Sequence, residues 1–105
     1  MFSENNRERK TVFITGVTGF IGSHLAKKLS KDHNVIGLDI RKGEFCAISS
    51  GIESLKETDL KNVDVVVHLA AAFEGDKNEV YKVNVEHTKN LLELSKKAGV
   101  KRFIF

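Results

Sequence analysis

Thr11–Leu29 reads "TVFITGVTGFIGSHLAKKL". Its first five residues, Thr11–Thr15, are β-branched or aromatic and have the make-up of a buried strand. Three glycines follow, Gly16, Gly19 and Gly22, in the spacing G-x-x-G-x-x-G. From Phe20 to about Lys31, residues Ile21, Leu25 and Leu29 fall four apart on one face, which predicts a helix. The stretch therefore runs strand, tight turn, helix. At such a junction the free N–H groups of the first turn and the helix dipole favour an anion. Gly16 suits the turn, Gly19 a close backbone approach to a pyrophosphate, and Gly22 close packing of helix on strand.

The residues that follow extend this pattern. Asn34–Asp39, "NVIGLD", predicts a second apolar strand, and it ends in Asp39, 17 residues past Gly22. A carboxylate at that strand end accepts hydrogen bonds from both ribose hydroxyls of an adenosine and repels a 2′-phosphate, which favours NAD over NADP. Arg41 and Lys42 stand next to it as possible neutralising cations. Val63–Ala71, "VDVVVHLAA", is a continuous apolar run typical of a strand buried on both faces. Lys77–Ala98 predicts a long helix, with Val80, Asn84, His87, Leu91, Leu94 and Ala98 on one stripe and Gly99 as its stop. "KRFIF", Lys101–Phe105, predicts another strand. Arg41–Asn62 has no decisive period; a strand is placed at about Ile52–Thr58, where a parallel sheet would accept one. Alternating strands and helices on short links mean an α/β fold: a Rossmann-like doubly wound parallel sheet in the order 3-2-1-4-5 with right-handed crossovers. A polar tail occupies residues 1–10, and residues 11–105 form one partial nucleotide-binding domain that breaks off in its fifth strand.

Composition narrows the function classes. The net charge is +3, from 17 basic and 14 acidic residues, and the excess is spread along the chain. That argues against nucleic-acid or membrane binding. Cys46 is the single cysteine; it allows no internal disulfide and fits a reducing, cytoplasmic setting. No apolar run is long enough to span a bilayer, and "MFSENNRERK" lacks the apolar core of a signal peptide. No Cys–His cluster has metal-ligand spacing.

"TGVTGFIGSHLAKKL" resembles the glycine motif of the extended short-chain dehydrogenases/reductases, the NAD-dependent nucleotide-sugar epimerases and dehydratases. "DVVVHLAA" is similar to their fourth strand, and "VNVEHTKNLLELSKKAGVKRFIF" to the helix and fifth strand after it. The resemblance implies that Gly16, Gly19, Phe20 and Ile21 hold the pyrophosphate, and that Asp39, with Ile40 and Arg41, holds the adenosine ribose. It implies that Leu69, Ala70, Ala71 and Ala72 line the cofactor and that Asn84 supports the cofactor and the active-site floor. Asp59–Leu60 is the candidate for the family's Asp-Leu pair beside the adenine. The bland alternatives are a plain strand end for Ala70–Ala72 and a locally bonded Asn for Asn84.

The departures carry information too. His87 stands where the family usually has glycine; a packed or solvated helix histidine is its ordinary reading. His68 falls where the family commonly has histidine and reads as structural. The family's chemistry uses Tyr-x-x-x-Lys as general acid/base, whereas Tyr81, the single tyrosine, is followed four residues on by Val85. The expectation is an NAD-binding portion of an epimerase/dehydratase-type enzyme, with no turnover by these residues alone. A stand-alone nucleotide-binding or interaction module is the alternative. In a longer parent protein, a nucleotide sugar would be the second ligand. Exposed apolar residues of the last strand, or the Lys77–Ala98 helix, point to a homo-oligomer.

Overall fold

A computed structural model describes residues 9–71 and 75–105. Five strands form one parallel sheet: β1 (Thr11–Thr15), β2 (Asn34–Asp39), β3 (Cys46–Ser49), β4 (Val65–His68) and β5 (Arg102–Ile104), in the spatial order β3-β2-β1-β4-β5. Helix α1 (Phe20–Leu29) links β1 to β2, and α2 (Lys77–Ala98) lies between β4 and β5. This is the expected strand order, with β4 beside β1.

The two-residue period of a strand divides the core into two halves. On β1, Val12 and Ile14 face α1 and join Val17, Ala26 and Val67. Phe13 faces the other way and packs with Leu38, Val66 and Leu91 of α2. Both faces of the central strands are buried, which is why they read as unbroken apolar runs. α2 begins at Asp76, whose carboxylate accepts from Asn78 N–H, and ends at Gly99 in the left-handed region (φ +82°).

The third strand is not at Ile52–Thr58. That span holds the 3-10 turn Ile52–Ser54, the extended link Leu55 and Lys56, and the start of a second 3-10 turn, Glu57–Leu60, and the strand is Cys46–Ser49. Ile52, Leu55 and Leu60 all enter the core half shared with α2. In a strand, residues three apart point to opposite faces, so Ile52 and Leu55 could not both enter the same core half there. Cys46–Ser49 alternates between half-buried and exposed residues. It has the short, polar character of an edge strand, and only β2 pairs with it.

Candidate functional site

The site lies over the carboxyl ends of β1, β2 and β4, where the strand order reverses; ligands of open α/β sheets bind at such a switch point. The chain leaves β1 through Gly16, whose φ is +73°. A Cβ at Gly16 would lie 2.8 Å from the Ala70 nitrogen, and one at Gly22 would collide with the Gly16 carbonyl oxygen. Both positions therefore need glycine, the first for its backbone angle and the second for close approach of α1 to the turn. Gly19 is the N-cap of α1, and no side chain caps the helix. The first helical bond runs from Ser23 N–H to the Gly19 carbonyl. The N–H groups of Phe20, Ile21 and Gly22 precede it and sit at the positive end of the helix dipole.

Asp39 closes β2 next to this turn. Its Oδ2 accepts from the Thr18 N–H at 3.0 Å and the Thr18 hydroxyl at 2.7 Å. Oδ1 accepts a long contact from Arg41 N–H at 3.4 Å. Partial burial would raise its pKa, but the hydrogen bonds from Thr18, then those from the Arg41 and Ile40 backbone, outweigh it and hold the carboxyl below the usual range. Asp39 is thus an ionised, oriented acceptor with Oδ1 left largely to a ligand.

A cleft of about 540 Å³ is lined by Gly16, Thr18, Gly19, Asp39, Ile40, Arg41, Leu69, Ala70 and Ala71, together with Leu38, Ser50, Gly51, Ile52, Glu53 and His87. Eight of the sequence-derived site residues thus share one cavity wall. Phe20 and Ile21 do not line it with their side chains, which are 81% and 65% exposed. Gly22 is buried beneath the turn. Asp59 and Leu60 are elsewhere: the Asp59 carboxylate accepts from Lys56 N–H at 2.8 Å, and Leu60 is buried in the core against α2. Asn84 is half-buried on the inward stripe of α2, outside the cleft lining. Ala72 lies outside the described residues.

Sequence reasoning missed Thr18, Leu38, Ser50–Glu53 and His87 as parts of this wall. Thr18 is 21 residues from the carboxylate it holds, and no local pattern announces such a pairing. Ser50–Glu53 follow β3, so a strand placed at Cys46–Ser49 would have set them at the carboxyl edge.

The floor is tied down from below. Thr15 Oγ1 accepts from Leu69 N–H at 3.1 Å and Ala70 N–H at 3.2 Å. With both lone pairs used, its hydrogen goes to His68 Nδ1 at 2.7 Å, and His68 Nε2 then donates to Thr88 Oγ1 of α2 at 3.1 Å. This network assigns the Nε2-protonated, neutral tautomer. Burial, and then the neighbouring His87, lower the pKa of His68, in keeping with a neutral ring.

Fold and cleft together define the class: a Rossmann-type doubly wound α/β domain with a glycine turn and a strand-end carboxylate at its switch point. The chain belongs to the NAD dependent epimerase/dehydratase family, whose model matches residues 12–105. It is 32% identical over 102 residues to N-acetyl-alpha-D-glucosaminyl-diphospho-ditrans,octacis-undecaprenol 4-epimerase of Escherichia coli O157:H7, covering 90% of this chain and 31% of that protein. Among solved structures it is similar to UDP-N-acetylglucosamine 4-epimerase from Methanobrevibacter ruminantium M1 in complex with UDP-N-acetylmuramic acid. That match has a TM-score of 0.80 at 27% identity, over 93% of this chain and 37% of the other. MoeE5 in complex with UDP-glucose and NAD matches with a TM-score of 0.76 at 35% identity, over 89% of this chain and 34% of that one. The chain spans about a third of the length of these relatives.

Proposed function

We propose that these residues form the NAD-binding portion of an epimerase/dehydratase-type enzyme acting on nucleotide sugars. The observation that carries this reading is the ionised Asp39 carboxylate, held by Thr18 on the rim of a cleft whose turn has room only for glycine at Gly16 and Gly22. NAD fits this donor set. The uncapped N–H groups of Phe20 and Ile21, with Gly16 and Gly19, would hold the pyrophosphate. Asp39 would accept from the adenosine ribose, flanked by Ile40 and Arg41. Leu69, Ala70 and Ala71 would give the cofactor a flat wall, with Asn84 supporting it from α2. Asp59 and Leu60 are not among the cleft-lining residues, and Ile40, with the edge of Ile52, would offer apolar surface to the adenine instead. When bound, NAD supplies a hydride acceptor.

The general acid/base of this chemistry is not assigned to any residue of the cleft. Tyr81 is 73% exposed on α2, in a shallow groove with Lys82 and Glu86 that is separate from the cleft. The 105-residue polypeptide is therefore proposed to bind cofactor without turnover. Self-association through β5 or α2 belongs to the same proposal, as does a cytoplasmic setting, for which the lone Cys46 speaks. No helix among the described residues is long and apolar enough to cross a membrane.

Calorimetric titration with NAD and NADP tests the reading. NAD is expected to bind more tightly, because a 2′-phosphate meets the Asp39 charge. Gly19→Val should abolish binding by filling the phosphate approach. Absence of NAD binding, or tighter NADP binding, would overturn it.

A further inference from the structure

We propose that His87, braced by Glu53, forms the wall that receives the base of the dinucleotide; this rests on the reading of the cleft as an NAD site. His87 Nε2 lies 3.7 Å from Glu53 Oε1. That is ion-pair range and too long for a hydrogen bond. The pair joins α2 to the turn that follows β3, in the same cleft as the glycine turn. The His87 side chain is 30% exposed and that of Glu53 61%, and both line the cavity.

Three observations set this wall in place. Thr88, the next residue on α2, bonds to His68 on β4, so the turn that carries His87 is anchored to the sheet. A Cβ on Gly51 would collide with the Glu53 carboxylate, so the Glu53 side chain folds back over that glycine toward the cleft. Ile52 is buried between them at 6% exposure, which fixes the backbone of the turn in the core.

Charge then decides which part of a dinucleotide meets this wall. Glu53 repels phosphate, and the uncapped start of α1 attracts it, so the phosphates belong at the glycine turn. The ribose belongs at Asp39. What extends beyond Asp39, toward Ile40 and Ile52, is the flat, uncharged base. An imidazole there offers a ring to pack on, as aromatic side chains do wherever bases are bound. His87 is a cofactor-binding residue in this reading; the chemistry does not run through it.

The test compares NAD binding by the unmodified chain with that of His87→Ala, His87→Phe and Glu53→Ala, each checked for native circular dichroism. His87→Ala should weaken NAD binding roughly tenfold, within the range for removing a ring from under a base. His87→Phe should restore most of the affinity, which a purely structural or ionic role would not predict. Glu53→Ala should give a smaller loss. In the unmodified chain, NMR should show transferred contacts between the adenine protons and the His87 ring protons. NAD binding that is equal in His87→Ala, or not rescued by His87→Phe, overturns the wall and leaves the NAD site standing. No NAD binding by the unmodified chain overturns both.

Discussion

At the scale of single residues, the glycine turn is set by distances smaller than a methyl group. Gly22→Ala places its Cβ in the Gly16 carbonyl, and backbone cannot swing aside as a side chain can. We expect a loss of about 1–3 kcal/mol, the range for forcing extra atoms into a packed site, read as a shift of the urea midpoint. Gly16→Ala should be as damaging, since it adds a left-handed φ to the clash with Ala70. His68 gives a pH signature. Its native pKa lies below the ordinary histidine value, so the unfolded chain takes up its proton first. Stability from this group is flat above the ordinary value of about 6.5 and falls as the pH drops through it toward the lowered native one. Urea midpoints at pH 8 and pH 5 should show the decline, and His68→Gln should flatten it. An undiminished decline in that variant would assign the effect to other groups. These residue-level features differ in legibility. Gly16, Gly22 and Asp39 could be read from the chain because turn geometry and a strand-end carboxylate are local. The Thr18–Asp39 bond and the His87–Glu53 pair join residues far apart in sequence, and no local spacing encodes them.

At the scale of elements, legibility followed burial. β1, β2 and α2 were placed with their observed bounds because a face buried on both sides, or a stripe at helical spacing closed by Gly99, leaves a strong pattern. β3 was misplaced because it is four residues long, half exposed and at the edge. The segment where a parallel sheet would accept a strand instead forms 3-10 turns, and Ile52, Leu55 and Leu60 from it plug the core under α2. α2 is held by few buried residues: Leu91 and Ser95 are its buried positions among the described residues. Ser95 spends its hydroxyl on the Leu91 carbonyl at 2.7 Å, so apolar anchoring falls on Leu91, which has no exposed surface. Leu91→Ala should cost about 2–5 kcal/mol. Because α2 also carries His87, partial release of the helix should weaken NAD binding as well. Denaturant titration and calorimetry on the same variant check both. A destabilised protein with unchanged affinity would show that the cleft does not depend on how α2 is seated.

At the scale of the whole molecule, the sheet has unequal edges. β3 is only four residues long and half exposed, which leaves little edge to pair with. β5 pairs with β4 on one side, and among the described residues no strand pairs with its other side. Phe103 packs inward against the α2 core half, its ring 6.2 Å from His68. Ile104 and Phe105 are 51% and 82% exposed. An edge that combines open backbone groups with apolar side chains is a template for another chain. Burying each such side chain contributes roughly 1.5–3 kcal/mol, and two or three together approach the total stability of a small domain. The 105-residue polypeptide is therefore expected to self-associate at micromolar concentration, measured by light scattering. Ile104→Lys should shift it toward monomer, because a charge on an edge strand opposes pairing while leaving Phe103 in the core. If β5 is the interface, the variant should lose association and keep its NAD affinity, since Ile104 lies outside the cleft lining. Association that survives Ile104→Lys but fails in Tyr81→Glu would move the interface to the outer face of α2, where Tyr81, Val85 and Leu92 are also exposed. A monodisperse monomer from the unmodified polypeptide would mean that the β5 edge, open as it is, binds too weakly to offset the freedom lost on pairing.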